Sequence, residues 1–262
     1  MKVITSYLVF FVLVASCSEY SKVVKGDDYT LKFETANALY EKKDFDRCIV
    51  LFEQIYQHSP KTGEGELAYY RLAKSYYETK DYYMAEYYFE SYLSRFPFSP
   101  KIEETMFMKA LCSVRNSPFY YLDQSETTKA INNVQDFVNR YPQSTLIDSC
   151  NQIIDDLRSK IELKDFEEVR LYDKTNNYRA AVTSAEIFST RYARSKFFEE
   201  NEYLWTKNAI LLAQNSVDAK KQQRIDKAKE RLLNFVAQFK TSNYLNELNS
   251  LMDKLDKGEK IK

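Results

Sequence analysis

The chain has 262 residues, enough for one large or two small domains. It carries 38 Lys and Arg against 38 Asp and Glu, so no basic field is present to hold a polyanion, which argues against nucleic-acid binding. It contains 22 Tyr and 17 Phe but only 4 Gly and 5 Pro. Because Gly and Pro form most corners of sheet-rich folds, their scarcity predicts an all-α protein with long helices and short turns.

The first 17 residues have the pattern of an export signal that ends in a lipid-attachment site. The stretch from Val3 to Ala15 is mainly apolar, but it is shorter than the roughly 20 residues of a spanning helix. We therefore predict a signal peptide over residues 1–16. The sequence Val14-Ala15-Ser16-Cys17 resembles the lipobox of bacterial lipoproteins, in which the Cys thiol is acylated and becomes the first residue of the mature protein. The alternative is an ordinary signal peptide followed by a chance Cys.

Residues 17–28 show no helical pattern and predict a short lipidated tether. Attached acyl chains such as palmitate contribute about 0.8 kcal/mol per buried CH₂ group, and more than one chain makes anchoring stable. Ser18, next to the modified Cys, resembles the pattern that sorts lipoproteins to the outer membrane. The sequence therefore predicts attachment to a membrane through Cys17.

The other three cysteines, Cys48, Cys112 and Cys150, lie among apolar residues at helical spacing. An odd number of cysteines cannot all pair within the chain. We predict small buried core residues, with one intramolecular disulfide as the open alternative.

A repeat of about one hairpin's length runs through the chain. At a lag of 37 residues, like residues coincide at Ala36 and Ala73, Tyr40 and Tyr77, Asp44 and Asp81, Phe45 and Tyr82, Phe52 and Phe89, and Pro60 and Pro97. Five consecutive units end in similar four-residue tails, at residues 59–62, 96–99, 141–144, 192–195 and 239–242. A Pro in the tail cannot continue a helix, and the closing Ser or Thr is suited to cap the next one.

The units resemble tetratricopeptide (TPR) helical hairpins, in which a small residue sits where two helices cross closely. Such a residue follows each internal turn, at Cys48, Ala85, Ala130, Ala181 and Ala228. We predict an α-solenoid of about five TPR-like hairpins, with repeats 1–3 over residues 29–144 and repeats 4–5 over residues 145–242. A capping helix and a solvated tail follow over residues 243–262. The alternative is a helical bundle with accidental periodicity.

Two units depart from the regular repeat. The third has an insertion over residues 116–126 between its helices. The fourth begins with a helix from about residue 146 to residue 174, on the order of 40 Å long at 1.5 Å per residue. We predict that this helix joins repeats 1–3 to repeats 4–5.

The sequence offers few groups for catalysis. His58 is the only histidine and lies in a tail between repeats, so an HExxH zinc site cannot be assembled and a Ser-His-Asp triad is not indicated. The four glycines form no phosphate-binding or dinucleotide-binding loop. Adjacent carboxylates, such as Glu103 and Glu104 or Glu199 and Glu200, point about 100° apart on a helix and cannot share a proton. We therefore predict a protein that is not an enzyme, with no metal and no cofactor.

The predicted binding surface is the concave face made by the first helix of each hairpin. In the first two repeats, aromatic and polar residues recur on this face at helical spacing, namely Phe33, Asn37, Tyr40, Tyr70, Lys74 and Tyr77. Tyrosine combines a large contact area and little rotamer entropy with a hydroxyl that can bind backbone, so the pattern predicts a peptide-binding groove. For each tyrosine, burial between the repeats is an equal alternative.

In their order along the chain, these features resemble the BamD family, the TPR-containing lipoproteins of the outer-membrane β-barrel assembly machine. Besides the lipobox at residues 14–17, the resemblance rests on third- and fourth-repeat residues. These are Asp123-Gln124, Ala130, Phe137, Tyr141-Pro142-x-Ser144, Lys164-Asp165-Phe166-Glu167, Tyr172, Asn176-Asn177-Tyr178 and Tyr192. The fourth and fifth tails depart from the family pattern because they lack Pro.

The resemblance implies a lipid-anchored scaffold on the periplasmic face of the outer membrane of a Gram-negative bacterium. Its C-terminal repeats would dock the BamA-like barrel subunit, beside the other lipoproteins of the machine. Its N-terminal groove would receive the aromatic-ending C-terminal signal of unfolded outer-membrane proteins.

Two other interpretations stay open. The first is a general TPR lipoprotein adaptor of the cell envelope or of a secretion system. The second is a SusD-like glycan-binding lipoprotein. Such proteins are about twice as long and stack sugars on several Trp, whereas this chain has only Trp205.

Overall fold

The computed structural model describes residues 19–261, so Cys17 and the predicted signal peptide lie outside the described residues. The helices of the described part are, in chain order, α1 (residues 19–25), α2 (Tyr29–Glu41), α3 (Phe45–His58), α4 (Gly63–Glu78), α5 (Tyr82–Arg95), α6 (Ile102–Asn116), α7 (Ser125–Arg140), α8 (Ile147–Lys174), α9 (Tyr178–Arg191), α10 (Phe198–Gln214), α11 (Asp218–Gln238) and α12 (Leu245–Asp256). From α2 to α11 they form five successive hairpins, and α12 packs on the last one. The predicted all-α fold of TPR-like hairpins with a capping helix is confirmed.

The chain divides into two compact units, Met1–Leu157 and Arg158–Lys262. The first unit has one apolar core around residues such as Phe52, Phe89 and Tyr92, and a second around Phe137 and Ile154. The core of the second unit contains residues from α8 to α12, among them Phe166, Phe188, Ile210, Phe235 and Leu248. The division falls inside α8, the long helix expected from the sequence. The domain boundary predicted from the sequence, between residues 144 and 145, separates repeat 3 from repeat 4. That boundary stays a prediction.

Three of the turns inside hairpins each contain one residue with a left-handed backbone conformation. These residues are Lys43 (φ 61°), Lys80 (φ 66°) and Asn176 (φ 55°). In each turn the left-handed residue donates its N–H to the carbonyl three residues back, as Lys80 does to Tyr77 at 3.1 Å. This geometry satisfies carbonyls at the end of the first helix and reverses the chain within three residues. The sequence turns at these positions therefore have one common conformation.

The tails between hairpins also share a conformation, but their Ser residues act differently from the prediction. Thr62 caps α4, because its hydroxyl accepts from the Gly65 N–H at 3.1 Å. In contrast, the Ser99 hydroxyl accepts from the N–H of Lys101, which itself occupies the position before α6. Ser195 and Ser242 make the same bond two residues on, ahead of α10 and α12. Ser144 makes it as well, to the Leu146 N–H ahead of α8. The N-cap prediction is wrong for these four serines because a short turn lies between each Ser and the helix.

Helix α1 lies where the sequence predicted a tether without helical structure. Its residues Tyr20, Val23 and Val24 pack against the first core. The Tyr20 hydroxyl also donates to the Arg47 carbonyl at 2.9 Å. The prediction was wrong for residues 19–25 because so short a helix depends on tertiary packing and not on the propensity of its own sequence.

The buried Lys32 of α2 holds the end of α1 in place. Its ammonium donates to the Val24 carbonyl at 3.1 Å and to Gln54 Oε1 at 2.7 Å. It also lies 4.9 Å from the centre of the Tyr29 ring. Carbonyl, amide and ring together satisfy a charge that would be costly to bury alone.

The cysteines Cys48, Cys112 and Cys150 are free and buried, as core residues are expected to be. Burial, with a smaller contribution from the Glu86 carboxylate, raises the pKa of Cys112 to about 12. The described helices include none with the length and apolarity that crossing a membrane requires.

Candidate functional site

The predicted groove residues lie on α2 and α4, two neighbouring first helices. Arg71, which the sequence did not single out, connects them. Its Nη1 donates to Asn37 Oδ1 at 2.8 Å, and its guanidinium lies 4.8 Å from the centre of the Tyr40 ring. Arg71 also pairs with Glu41 at 3.4 Å. Asn37 and Tyr40 are therefore brought together and held by one guanidinium.

Lys74 makes a second polar connection, from α4 to α6. Its ammonium lies 3.2 Å from Glu104 Oε1. The same carboxylate lies beside the Tyr70 hydroxyl, and burial together with this carboxylate raises the pKa of Tyr70 well above its ordinary value. The ammonium groups of Lys101 and Lys74 lie 5.0 Å and 5.7 Å from the centre of the Tyr70 ring.

Tyr70 itself belongs to the core, with an exposed fraction of 5%. Its ring packs edge-on against Tyr92 and Phe89, with centroid distances of 5.6 Å and 6.4 Å. The structure thus favours the core alternative for this tyrosine, because its helix position points toward α5.

Phe33 and Tyr77 are half-buried at the two ends of the predicted set. Phe33 packs against the first core. The Tyr77 ring meets Tyr82 edge-on at 5.3 Å. Its hydroxyl lies near Arg115 of α6 and raises the pKa of that guanidinium. A peptide-binding role for these residues stays a prediction.

The face along α2, α4 and α6 therefore carries polar and charged side chains that connect neighbouring helices, with aromatic rings beside them. We name it the α2–α4–α6 face, and define it by Asn37, Tyr40, Arg71, Lys74 and Glu104. It offers side-chain donors and acceptors beside partly exposed rings, a combination suited to an extended peptide. The sequence contained a signal for the missed residues. Arg71 follows Asn37 by 34 residues and Glu104 follows Lys74 by 30, about one repeat in each case.

The second unit has a groove of its own, lined by its second helices. An open groove of about 590 Å³ lies between α9 and α11, with α10 as its floor. Glu202, 4% exposed, forms an ion pair with Arg231 and accepts a hydrogen bond from Ser189. The Arg231 guanidinium stacks 3.5 Å from the centre of the Trp205 ring. We name this surface the α9–α11 groove.

His58, the only histidine, stacks on Tyr29 with a centroid distance of 3.6 Å and hydrogen-bonds with Ser59. Within residues 19–261, no three His, Cys, Asp or Glu side chains are grouped so that they could hold a metal ion.

The sequence profile of the family described as "YfiO: Outer membrane lipoprotein" matches residues 27–201, most of the chain. The chain belongs to this family. The match covers the first four hairpins, including both connections of the α2–α4–α6 face.

The chain is also similar to a protein of Aquifex aeolicus (strain VF5) with the provisional name outer membrane protein assembly factor BamD. The two are 24% identical over 269 residues, which cover 100% of this chain and 87% of the relative. Together with the family match, this confirms the resemblance to the BamD family that the residue pattern predicted.

Among solved structures, the chain aligns with the TPR-like repeats of a protein provisionally described as a kinesin light chain of Podosopora anserina. The TM-score is 0.34 and the sequence identity is 12%. The alignment covers 81% of this chain and 96% of that one. So slight a likeness carries no argument, and the TPR-like assignment rests on the hairpins described above.

Proposed function

We propose that the chain is a lipid-anchored scaffold of the machinery that assembles outer-membrane proteins. The observation that carries the proposal is the similarity, over the whole of this chain, to a relative named as an outer membrane protein assembly factor. Helical hairpins suit this role because they present binding faces on rigid elements. The proposal includes acylation of Cys17 and attachment to the periplasmic face of the outer membrane.

The proposal assigns different partners to the two units. The α2–α4–α6 face receives unfolded outer-membrane proteins, because its donors, acceptors and rings can bind an extended chain regardless of most of its sequence. The second unit docks the barrel-forming subunit of the machine, beside its other lipoproteins. Trp205 and Arg231 in the α9–α11 groove support this assignment, since Trp and Arg are enriched among residues that dominate binding energy.

Two measurements on native membranes test the role. Depletion of the chain should lower the amount of folded outer-membrane β-barrels, and capture of the chain should recover a barrel-forming subunit. A Cys17→Ala variant should leave the membrane fraction. Unchanged barrel levels after depletion, with no barrel subunit captured, would contradict the proposal and favour a general envelope adaptor.

Client binding needs a separate test because Tyr70 is a core residue. Lys74→Ala with Tyr77→Ala should weaken binding of a peptide from the C-terminal end of an outer-membrane protein, while far-UV helix content stays near that of the wild type. Equal binding by variant and wild type would place the client site elsewhere.

A further inference from the structure

A second groove lies in the first unit, on the side of the second helices. It has a volume of about 430 Å³ and runs between α5 and α7. We name it the α5–α7 groove. Tyr83, Tyr87 and Glu90 line it from α5, with Lys109 from α6 and Lys129 from α7. None of these residues belongs to the α2–α4–α6 face.

Glu86 is the buried acid of this groove, with an exposed fraction of 8%. Its hydrogen-bond donors all reach the same oxygen, Oε1. Lys129 Nζ lies 2.9 Å from Oε1, the Ser113 hydroxyl lies 3.0 Å from it and Asn133 Nδ2 lies 3.4 Å from it. The other oxygen, Oε2, is buried without a hydrogen-bond partner. A carboxylate oxygen in that state is unfavourable, since a buried acceptor loses water and gains no donor in exchange.

The missing partner of Oε2 is a hydrogen-bond donor, and a positively charged donor fits best beside a carboxylate. An ammonium already serves Oε1 through Lys129. A planar guanidinium is better suited to the remaining oxygen, because its fork of N–H groups can reach a carboxylate from the side and still donate to neighbouring acceptors. Glu90, one helical turn after Glu86 on the same groove wall, supplies a second carboxylate, which is ion-paired with Lys109.

The aromatic residues of the groove support the same ligand. Tyr83 and Tyr87 are each 61% exposed, although large aromatic side chains normally gain from burial. They lie four residues apart on α5, on the same side of the helix, and both line the groove. Guanidinium groups stack on such rings, so the rings would be covered by the ligand that satisfies Oε2.

The groove can admit the ligand by a small rearrangement. Oε2 is closed to solvent, so a donor must displace a neighbouring side chain. Lys129 is the mobile candidate, because its side chain is 47% exposed. The Lys129 ammonium also lies 3.9 Å from Glu126. After Lys129 moves away from Glu86, it can therefore still pair with the Glu126 carboxylate.

We propose that the α5–α7 groove binds an arginine side chain of a protein partner, which donates to Glu86 and stacks on Tyr83 and Tyr87. Exposed Tyr beside a buried acid is the surface against which an interfacial Arg gains most, since Arg and Tyr are both enriched at interface centres. The proposal does not depend on the role in outer-membrane assembly.

The test is titration of the full chain, as the non-acylated Cys17→Ala variant, with the peptide acetyl-Gly-Arg-Gly-amide, followed by NMR chemical shifts. The same peptide with citrulline, which is neutral and nearly the same shape, is the matched control. We expect saturable shifts in the groove and at least about tenfold weaker binding of the citrulline peptide, since a charged hydrogen bond contributes about that factor. A lysine peptide should bind about threefold more weakly than the arginine peptide.

Variants of the protein locate the site. Glu86→Gln should weaken arginine-peptide binding about tenfold, and the double change Tyr83→Ala with Tyr87→Ala about threefold or more. Because both tyrosines are exposed, the double variant keeps the test valid even where Glu86→Gln lowers stability. Tyr121→Ala changes an equally exposed ring outside the groove lining and should have no effect. Equal binding of the arginine and citrulline peptides, shifts centred elsewhere, or no saturable binding at millimolar concentration would each overturn the proposal.

Discussion

The α5–α7 groove of the first unit and the α9–α11 groove of the second are built from similar elements, but their buried carboxylates differ in how many oxygens receive a hydrogen bond. Each lies between the second helices of consecutive hairpins, and each holds a buried glutamate paired with a base from the later helix. Glu202 has a donor on each oxygen, Ser189 on Oε1 and Arg231 on Oε2. Glu86 has its donors on one oxygen alone. In the second unit Arg231 supplies a donor to the second Glu202 oxygen, although its own Nε is buried without a partner, whereas in the first unit Lys129 leaves Glu86 Oε2 without a donor.

The largest expected effect comes from removing Arg231, the cationic partner of the buried Glu202 in the α9–α11 groove. Arg231→Met should lower the free energy of unfolding by about 3 kcal/mol, because it leaves the buried Glu202 carboxylate without its partner. Urea unfolding followed by circular dichroism measures this. Lys129→Met is the matched change in the other groove and should cost only about 1 kcal/mol, since Lys129 is half exposed. Equal losses would show that the two pairs are alike.

Exchanging one base for another separates geometry from charge. Arg231→Lys keeps the charge but loses the planar fork and its stacking on Trp205. We expect a loss of about 1.5 kcal/mol in the same unfolding measurement, intermediate between no change and Arg231→Met. A loss as large as that of Arg231→Met would mean that charge contributes little to closing this groove.

The reactivity of Cys112 reports whether the first apolar core, to which it belongs, stays closed next to Glu86. Burial and the Glu86 carboxylate raise its pKa to about 12. Only about one thiol in ten thousand is then ionised at pH 8, and the thiolate is the reactive form. In the folded chain Cys112 should therefore resist iodoacetamide at pH 8, as measured by mass spectrometry, and react readily in urea. Rapid reaction without urea would show that the core around Cys112 opens by itself.

The smallest expected effect is a gain. Lys129→Arg introduces into the α5–α7 groove the donor type that closes the other one, and should raise the free energy of unfolding by about 0.5 kcal/mol. The internal guanidinium should also reduce binding of the arginine peptide, because it competes for Glu86. A variant that is no more stable and binds the peptide as the wild type does would break the comparison.

The hairpins could be predicted because their signals are local. Turn residues such as Lys43 and Lys80, the Pro of the first three tails and the small residues of the second helices recur from hairpin to hairpin, and each acts within a few residues of chain. Helix α1 could not be predicted, because its stability comes from Lys32 and from a core formed by distant residues.

The burial of the two glutamates could not be predicted either, because a charged residue on a helix normally faces solvent. Glu86 and Glu202 are buried only because partners on neighbouring helices supply their donors. The carboxylates next to each other in sequence show the same limit. Glu104 and Glu200 each follow another glutamate in sequence, and they bond with Lys74 and Arg170 across helices. Of the predicted groove residues, Asn37 and Tyr40 meet at Arg71, whereas Tyr70 turned toward the core because α5 packs behind it.

Helix α1 also sets a length. Two peptide units separate Cys17 from residue 19, where the described helix begins, and two extended residues reach only about 7 Å. If Cys17 is acylated as proposed, the start of the described helix lies within about 7 Å of the residue that carries the lipid, and the first hairpin is confined close to the membrane. Confinement of this kind raises the effective concentration of every binding face toward partners in the same membrane, without any new contact.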